Sequence, residues 1–277
     1  MRRSIRSRVL LAAIAVMGML PALAAGQSAE MVLAISEGTS GGLDHAQVIA
    51  KYGGLAGLLG KAINKRVSMV LVREFSQLEA GMKSARFDLV MARPSDYPAR
   101  GIRDYQYRYV ASASPAGQCL IIVPKGSPIR TLAEAHGHRW VLPEPAAYMT
   151  RFCKAELRDR GIRIEKETVR WVREQNSVGA HLENGFGEVG GVASYSGVAR
   201  TWERSGHRIL HSSAPQPYFP LIASPKVSAS DVEAIQKLLF ALPDSAGGPA
   251  LLKTLGVTGF DVASKDRLEA LLVWLDK

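Results

Sequence analysis

The sequence predicts an α/β protein of two lobes, each built on a mostly parallel sheet, with a ligand cleft between them. Three observations carry this. Residues 31–92 alternate short apolar strands with helices in the order strand, helix, strand, helix, strand, the pattern of a parallel sheet. A second series of the same kind starts at Trp140 and reaches Ala193. The chain then returns through further strands and helices with no repeat, low-complexity tract or flexible linker. The expected division is a leader at 1–24, a first lobe at 25–115, a second lobe at 116–210 and a return into the first lobe at 211–277.

Residues 31–36 (MVLAIS) are the first expected strand and 37–42 (EGTSGG) a loop. Residues 46–63 follow as a helix with Ile49, Leu55, Leu58, Leu59 and Ala62 on its buried side. Gly53, Gly54 and Gly57 either weaken that helix or let it pack closely. Residues 67–72 form a strand, 76–84 a helix with Ser76 as N-cap, and 87–92 a strand stopped at Arg93-Pro94. Strands at 105–111 and 119–123 precede a turn at 126–128 and a short helix at 131–135. The second series runs through a strand at 140–142, a helix from Pro145 to about Arg160 stopped by Gly161, a strand at 167–172, a helix at 178–184, a strand at 189–193 and a helix at 196–205. Strands at 209–212 and 221–223 lead back to helices at 230–241, capped by Ser228 or Ser230, then 251–255 and 267–275.

Composition narrows the function classes. Arg2, Arg3, Arg6 and Arg8, an apolar run from Val9 to Met19 and the small residues Ala22-Leu23-Ala24 have the order of a cleaved secretory signal. The apolar run is short and ends at Pro21, which disfavours a permanent membrane span, and no Cys follows it to carry a lipid. The expected location is the periplasm. Removing 24 residues from 277 leaves 253, enough for one large domain or two lobes. The formal charge is +10, of which four belong to the leader arginines, leaving +6. The basic residues are scattered without an aromatic-interleaved stripe, so nucleic acid is not an expected partner. The two cysteines, Cys119 and Cys153, are read three ways: two small buried side chains, a disulfide permitted by export, or a ligand-binding thiol. Spacing alone cannot show that their side chains meet.

No motif supports catalysis, a metal or a cofactor. Gly185-Phe186-Gly187-Glu188-Val189-Gly190 matches the spacing of a dinucleotide fingerprint, but it follows a helix and enters a strand, the reverse of the required context. His136-Gly137-His138 lacks a third ligand nearby, and His45, His181, His207 and His211 fall in no nucleophile arrangement. No carboxylate pair stands out as an acid–base couple.

Four segments carry a resemblance. Tyr52-x-x-Leu55-Ala56-x-Leu58-Leu59 is similar to the first helix of the phosphate/phosphite/phosphonate-type substrate-binding proteins of ABC transporters. Gly81 to Tyr97, with Phe87-Asp88-Leu89 and Pro94-Ser95-x-Tyr97, is similar to that family's segment reading G-x-x-D-hydrophobic … G-P-x-x-Y. Glu144-Pro145 is similar to its D-P at a second-lobe helix start, and Asn184-Gly185 through Gly191-Val192 to its N-G-x-x-D-A-G segment. The resemblance spans nearly the whole chain after the leader. It implies the type II periplasmic-binding fold, a small-molecule ligand and a membrane permease as partner, with the protein a monomer. Two departures bear on the ligand. A hydroxyl-rich stretch after D-P is replaced by Ala146-Ala147-Tyr148-Met149-Thr150, and Arg93 stands where the family has Gly before Pro.

The candidate ligand residues lie at strand ends, where open α/β sheets bind ligands. Glu37 either accepts from the ligand, pairs with Arg93 or is a plain loop carboxylate. Arg93 either forks two bonds to an oxyanion or sits in an internal ion pair. Ser95 and Tyr97 offer hydroxyls at a helix start, though a cap explains Ser95 equally well. Tyr148 presents a hydroxyl or aromatic face from the second lobe, or is a core aromatic. Ser177, Ser194 and Tyr195 complete the set, with Cys119 as a thiol for a soft species such as a trivalent arsenic oxyacid. The expected function is capture of a small anionic solute for an ABC transporter. The rivals are a ligand-sensing subunit for a membrane histidine kinase, an enzyme on the same bilobal fold, and a scaffold that has lost its ligand.

Overall fold

The computed structural model describes residues 30–37, 44–145 and 147–277. The expected leader, most of the loop at 37–42, and Ala146 lie outside the described residues. The first half of the chain builds β1 (Glu30–Ser36), α1 (His45–Ile63), β2 (Arg66–Leu71), α2 (Phe75–Lys83), β3 (Leu89–Ala92), α3 (Asp96–Tyr105) and β4 (Arg108–Gly117). Next come β5 (Cys119–Val123), β6 (Arg139–Pro143), α4 (Tyr148–Asp159), β7 (Thr168–Val172), α5 (Gln175–Glu183), β8 (Val189–Ala193), α6 (Gly197–Trp202) and β9 (Arg208–Ser212). The return adds β10 (Gln216–Ala223), α7 (Ala229–Ala241), α8 (Gly248–Leu255), β11 (Gly259–Asp261) and α9 (Lys265–Leu275).

The strands form two sheets, ordered β11-β4-β10-β3-β1-β2 and β7-β6-β8-β5-β9. In the first, β1 runs parallel to β2 and β3; in the second, β6 runs parallel to β7 and β8. Apolar residues line both faces of each sheet, as helices on either side require. The chain crosses between sheets twice, and the crossings bind each other. Gln118 Nε2 donates to the Ser213 carbonyl at 2.7 Å, and Cys119 N–H to Ser213 Oγ at 2.9 Å. Antiparallel pairing continues on either side, Gly117 with Gln216 in one sheet and Leu120 with Ser212 in the other. The two lobes are therefore joined by a hydrogen-bonded pair of connections.

Several local expectations need correction. Ile49 is 45% exposed; the buried stripe of α1 is Val48, Tyr52, Leu55, Ala56, Leu59 and Ile63. These share one face of the helix, and Ile49 falls just past its edge, beyond Ala56. Ser76 does not cap α2: the helix starts one residue earlier, and Glu74 holds the cap position without a side-chain bond. The N-cap of α7 is Ser228, whose hydroxyl accepts from Asp231 N–H at 3.1 Å. The second sheet extends through Ser212, two residues past the expected boundary at 210. The three-residue strand β11 carried no detectable sequence pattern. Gly54 permits a close approach, since a Cβ there would stand 3.0 Å from Leu251 Cδ1 of α8.

Candidate functional site

The first sheet brings Glu37 and Arg93 together. Parallel pairing puts Ser36 beside Ala92, and Arg93 N–H donates to the Ser36 carbonyl at 2.8 Å. The next residues of both strands thus leave the carboxyl edge of the sheet side by side. The Glu37 side chain is 4% exposed. Its Oε1 accepts from Lys51 Nζ at 2.7 Å and from the Tyr52 hydroxyl, both carried by α1. Its Oε2 is engaged by ion pairing with Arg93 Nη2. The remaining Arg93 amine, Nη1, donates to the Tyr218 hydroxyl at 2.9 Å. The guanidinium carbon lies 5.7 Å from the ring centres of Tyr195 and Tyr218 and 5.2 Å from that of Phe219, within cation–π range. Arg93 Nε is buried with no hydrogen-bond partner among the described residues.

Tyr195 reaches this cluster from the second lobe, following β8, and stacks on Tyr218 with ring centres 4.4 Å apart. Burial pushes the Tyr195 and Tyr218 phenols up despite Arg93 beside them, so both stay neutral at ordinary pH. Burial likewise pushes Tyr52 up and pulls the Lys51 ammonium down.

The other candidates divide. Ser95 is 2% exposed and donates to the Pro217 carbonyl at 2.8 Å. Tyr148 of α4 packs against Phe152, with ring centres 6.0 Å apart, and burial pushes its phenol well up. Tyr97 turns to α2, stacked on Phe75 at 4.9 Å, and does not join Arg93. Ser194 Oγ accepts from Gln118 N–H at 3.1 Å at a lobe crossing. Ser177 lies inside the first turn of α5, its carbonyl bonded to His181 Nδ1, and is not placed before that helix as expected. Cys119 is not a ligand thiol. It is disulfide-bonded to Cys153 across a Cα separation of 5.3 Å, with both residues fully buried, so no thiol is present for a soft ligand.

Across the cleft, α4 begins at the carboxyl edge of the second sheet. Its N-cap is Ala147, which makes no side-chain bond to the first-turn amides. The Thr150 hydroxyl is committed to the Pro143 carbonyl at 2.7 Å. The opening of α4 thus offers backbone amides and the positive end of a helix dipole, with little side-chain help.

A second contact between the lobes was not legible in sequence. Arg151 of α4 donates to Asp96 Oδ2 of α3 at 2.7 Å and to Asp276 at 2.9 Å, and Arg100 stands 3.7 Å from Asp96. Nearby, Trp274 Nε1 donates to Asp159 at 2.7 Å and its ring meets Phe152 edge-on at 5.3 Å. Burial pushes the Asp96 carboxyl up, against the pull of Arg151 and Arg100. An acid whose folded pKa exceeds its unfolded one costs stability as pH rises through those values and costs nothing below them. Arg151 limits that cost, so Arg151→Met is expected to destabilise by about 3 kcal/mol at neutral pH. The loss should shrink as Asp96 protonates in acid. The arm to Asp276, a side chain 59% exposed, adds little. Urea unfolding at neutral pH and at about pH 4 checks this; an equal loss at both would refute the linkage.

Residues 42–268 match the periplasmic substrate-binding proteins of phosphonate ABC transporters. The chain belongs to that family. No curated protein matches the sequence. Among solved structures it is similar to XAC2383 from Xanthomonas citri bound to ATP, at 17% identity and a TM-score of 0.68, over 90% of this chain and 98% of that one. It is also similar to PhnD1 from Prochlorococcus marinus in complex with methylphosphonate, at 10% identity and a TM-score of 0.66, over 88% and 96% of the two chains. A third is a binding protein component of an ABC phosphonate transporter from Pseudomonas aeruginosa, at 11% identity and a TM-score of 0.61, over 90% and 86%. At these identities the structures share the fold, which is the type II periplasmic-binding arrangement. The family is one of periplasmic substrate-binding proteins, and the chain is a solute-binding protein of the ABC-transporter class.

The sequence offered Glu37 and Arg93 but missed Lys51, Tyr218, Phe219 and Arg151. Tyr52 was visible only as part of a family-like helix. Tyr218 and Phe219 sit in the half of β10 that precedes the recognisable apolar run at 221–223. Among the described residues no helix is long and apolar enough to cross a membrane, and no group of three potential ligands could hold a metal.

Proposed function

We propose that this chain is exported by its leader, works in the periplasm and hands a small, singly charged anion to an ABC permease. The ligand sits between Arg93 of the first lobe and the uncapped amides of α4 in the second. The observation that carries this reading is Arg93 itself: a permanent cation at the carboxyl edge of the sheet, in contact with Tyr195 of the other lobe, with a buried Nε lacking a partner among the described residues. A cation touched by both lobes lets one ligand favour their closure, and the closed form is what a permease would recognise.

A phosphonate is a poor fit. A dianion needs many donors, because removing it from water without replacing its hydrogen bonds costs several kcal/mol. Ala147 and Met149 supply no side-chain donor, and Thr150 is already committed to Pro143. A planar carboxylate suits the donors that remain. The chain would act without catalysis and as a monomer. Calorimetry against small monocarboxylates, phosphate and methylphosphonate tests the reading. Binding of a monocarboxylate at about micromolar Kd, near −8 kcal/mol, with phosphate and methylphosphonate far weaker, is expected. Micromolar binding of either phosphorus oxyanion would overturn it.

A further inference from the structure

The Glu37 carboxylate is placed where a ligand's charge would be expected. Open α/β sheets receive ligands at the carboxyl ends of their strands, and Glu37 leaves β1 beside Arg93 at that edge. It is not a rim carboxylate free to swing away. Its side chain is 4% exposed, and Lys51, Tyr52 and Arg93 hold it from two elements. The three charged groups sum to a single positive charge, one carboxylate serving two cations.

We propose that Glu37 is the specificity-determining residue of this cleft: a built-in anion seated on Arg93 that restricts the solute to one negative charge. The inference rests on the ligand being held at Arg93. Glu37 engages Nη2 and the Tyr218 hydroxyl engages Nη1, so any ligand at the guanidinium shares it with a resident carboxylate. An incoming monoanion balances the remaining charge. An incoming dianion brings an excess negative charge next to a carboxylate that cannot leave, in a site where water screens weakly. Replacing the acid by its neutral isostere reverses the balance. A Gln at this position still accepts from Lys51 and Tyr52, while Arg93 is released and the local charge rises by one.

The test uses two probes of the same shape and different charge, methanesulfonate and methylphosphonate, at about pH 8.5, where a phosphonate has lost its second proton, phosphate groups doing so near pH 6. Calorimetry gives the ratio of their affinities for each protein. The wild type is expected to favour methanesulfonate. Glu37→Gln is expected to shift the ratio by at least about tenfold toward methylphosphonate, as one added charge-assisted contact would. Glu37→Asp, which keeps the charge, should leave the preference with the monoanion. A folded Glu37→Gln with an unchanged ratio overturns the proposal, as does an equal shift in Glu37→Asp or binding of neither probe by both proteins. Should Glu37→Gln fail to fold, the wild-type ratio decides: a preference for methylphosphonate overturns the proposal, and a preference for methanesulfonate supports it. Arg93→Ala separates this inference from the reading beneath it. If Arg93→Ala binds the probes as well as wild type does, the placement of the ligand has failed. If it loses them while Glu37→Gln gains nothing, only the role of Glu37 has failed.

Discussion

Arg93→Ala is expected to weaken binding of the native solute by about 100-fold or more, the loss of one strong charge-assisted contact in a partly dry cleft. Stability should fall as well. Glu37 would keep Lys51 and Tyr52 but lose the guanidinium on Oε2. Removing one partner of a buried pair typically costs about 3 kcal/mol or more, and the two surviving donors should hold the loss near the lower end. Arg93→Lys restores the charge without the planar group and without its fit under Tyr195, Tyr218 and Phe219, so affinity should recover only in part. Calorimetry with the native solute and urea unfolding measure the two effects separately. Full affinity in Arg93→Ala would remove the ligand from this position.

The disulfide is expected to behave in the opposite way, with a large effect on stability and little on binding. Cys119 of β5 and Cys153 of α4 are 34 residues apart in sequence. Closing a loop of that length is worth about 3–4 kcal/mol through the unfolded chain. The double variant Cys119→Ala, Cys153→Ala should therefore lose about that much and melt roughly 10 °C lower. Both residues are fully buried in the second lobe, packed among Leu142, Phe152 and Ala193 away from solvent. Affinity should stay within about threefold, since only backbone placement links the bond to the cleft. Loss of binding with unchanged stability would revive a thiol-based site.

Why these residues and not others were visible in sequence has a physical explanation. Local periodicity gave the alternation of strands and helices, because the pattern that buries a helix stripe or a strand face lies within a few residues. It failed where two readings were adjacent: Ile49 is one position from the stripe that Val48 and Tyr52 define, and Ser76 is one residue inside the helix it was expected to cap. Glu37 and Arg93 could be singled out because both follow apolar strands. Their pairing depends on β1 and β3 being neighbours, which a sequence can only propose. Arg151 and Tyr218 gain their roles from partners 55 and 125 residues away, Asp96 and Arg93. Nothing local marks them. The cysteines illustrate the same limit, since the 5.3 Å between their Cα atoms is set by how α4 packs on β5. The eroded hydroxyls after Glu144 were legible residue by residue. The separate commitment of the Thr150 hydroxyl to Pro143 was not.

Mass spectrometry of the small molecule released on denaturing protein purified from its native host is the most direct test of a lobe-bridging monoanion held at Arg93, provided Arg93→Ala is purified in parallel. One species with a single acidic group, present at near-stoichiometric amount with the wild type and absent from the variant, is the expected result. A phosphonate or a cation in the wild type, or the same species retained in full by Arg93→Ala, would contradict it.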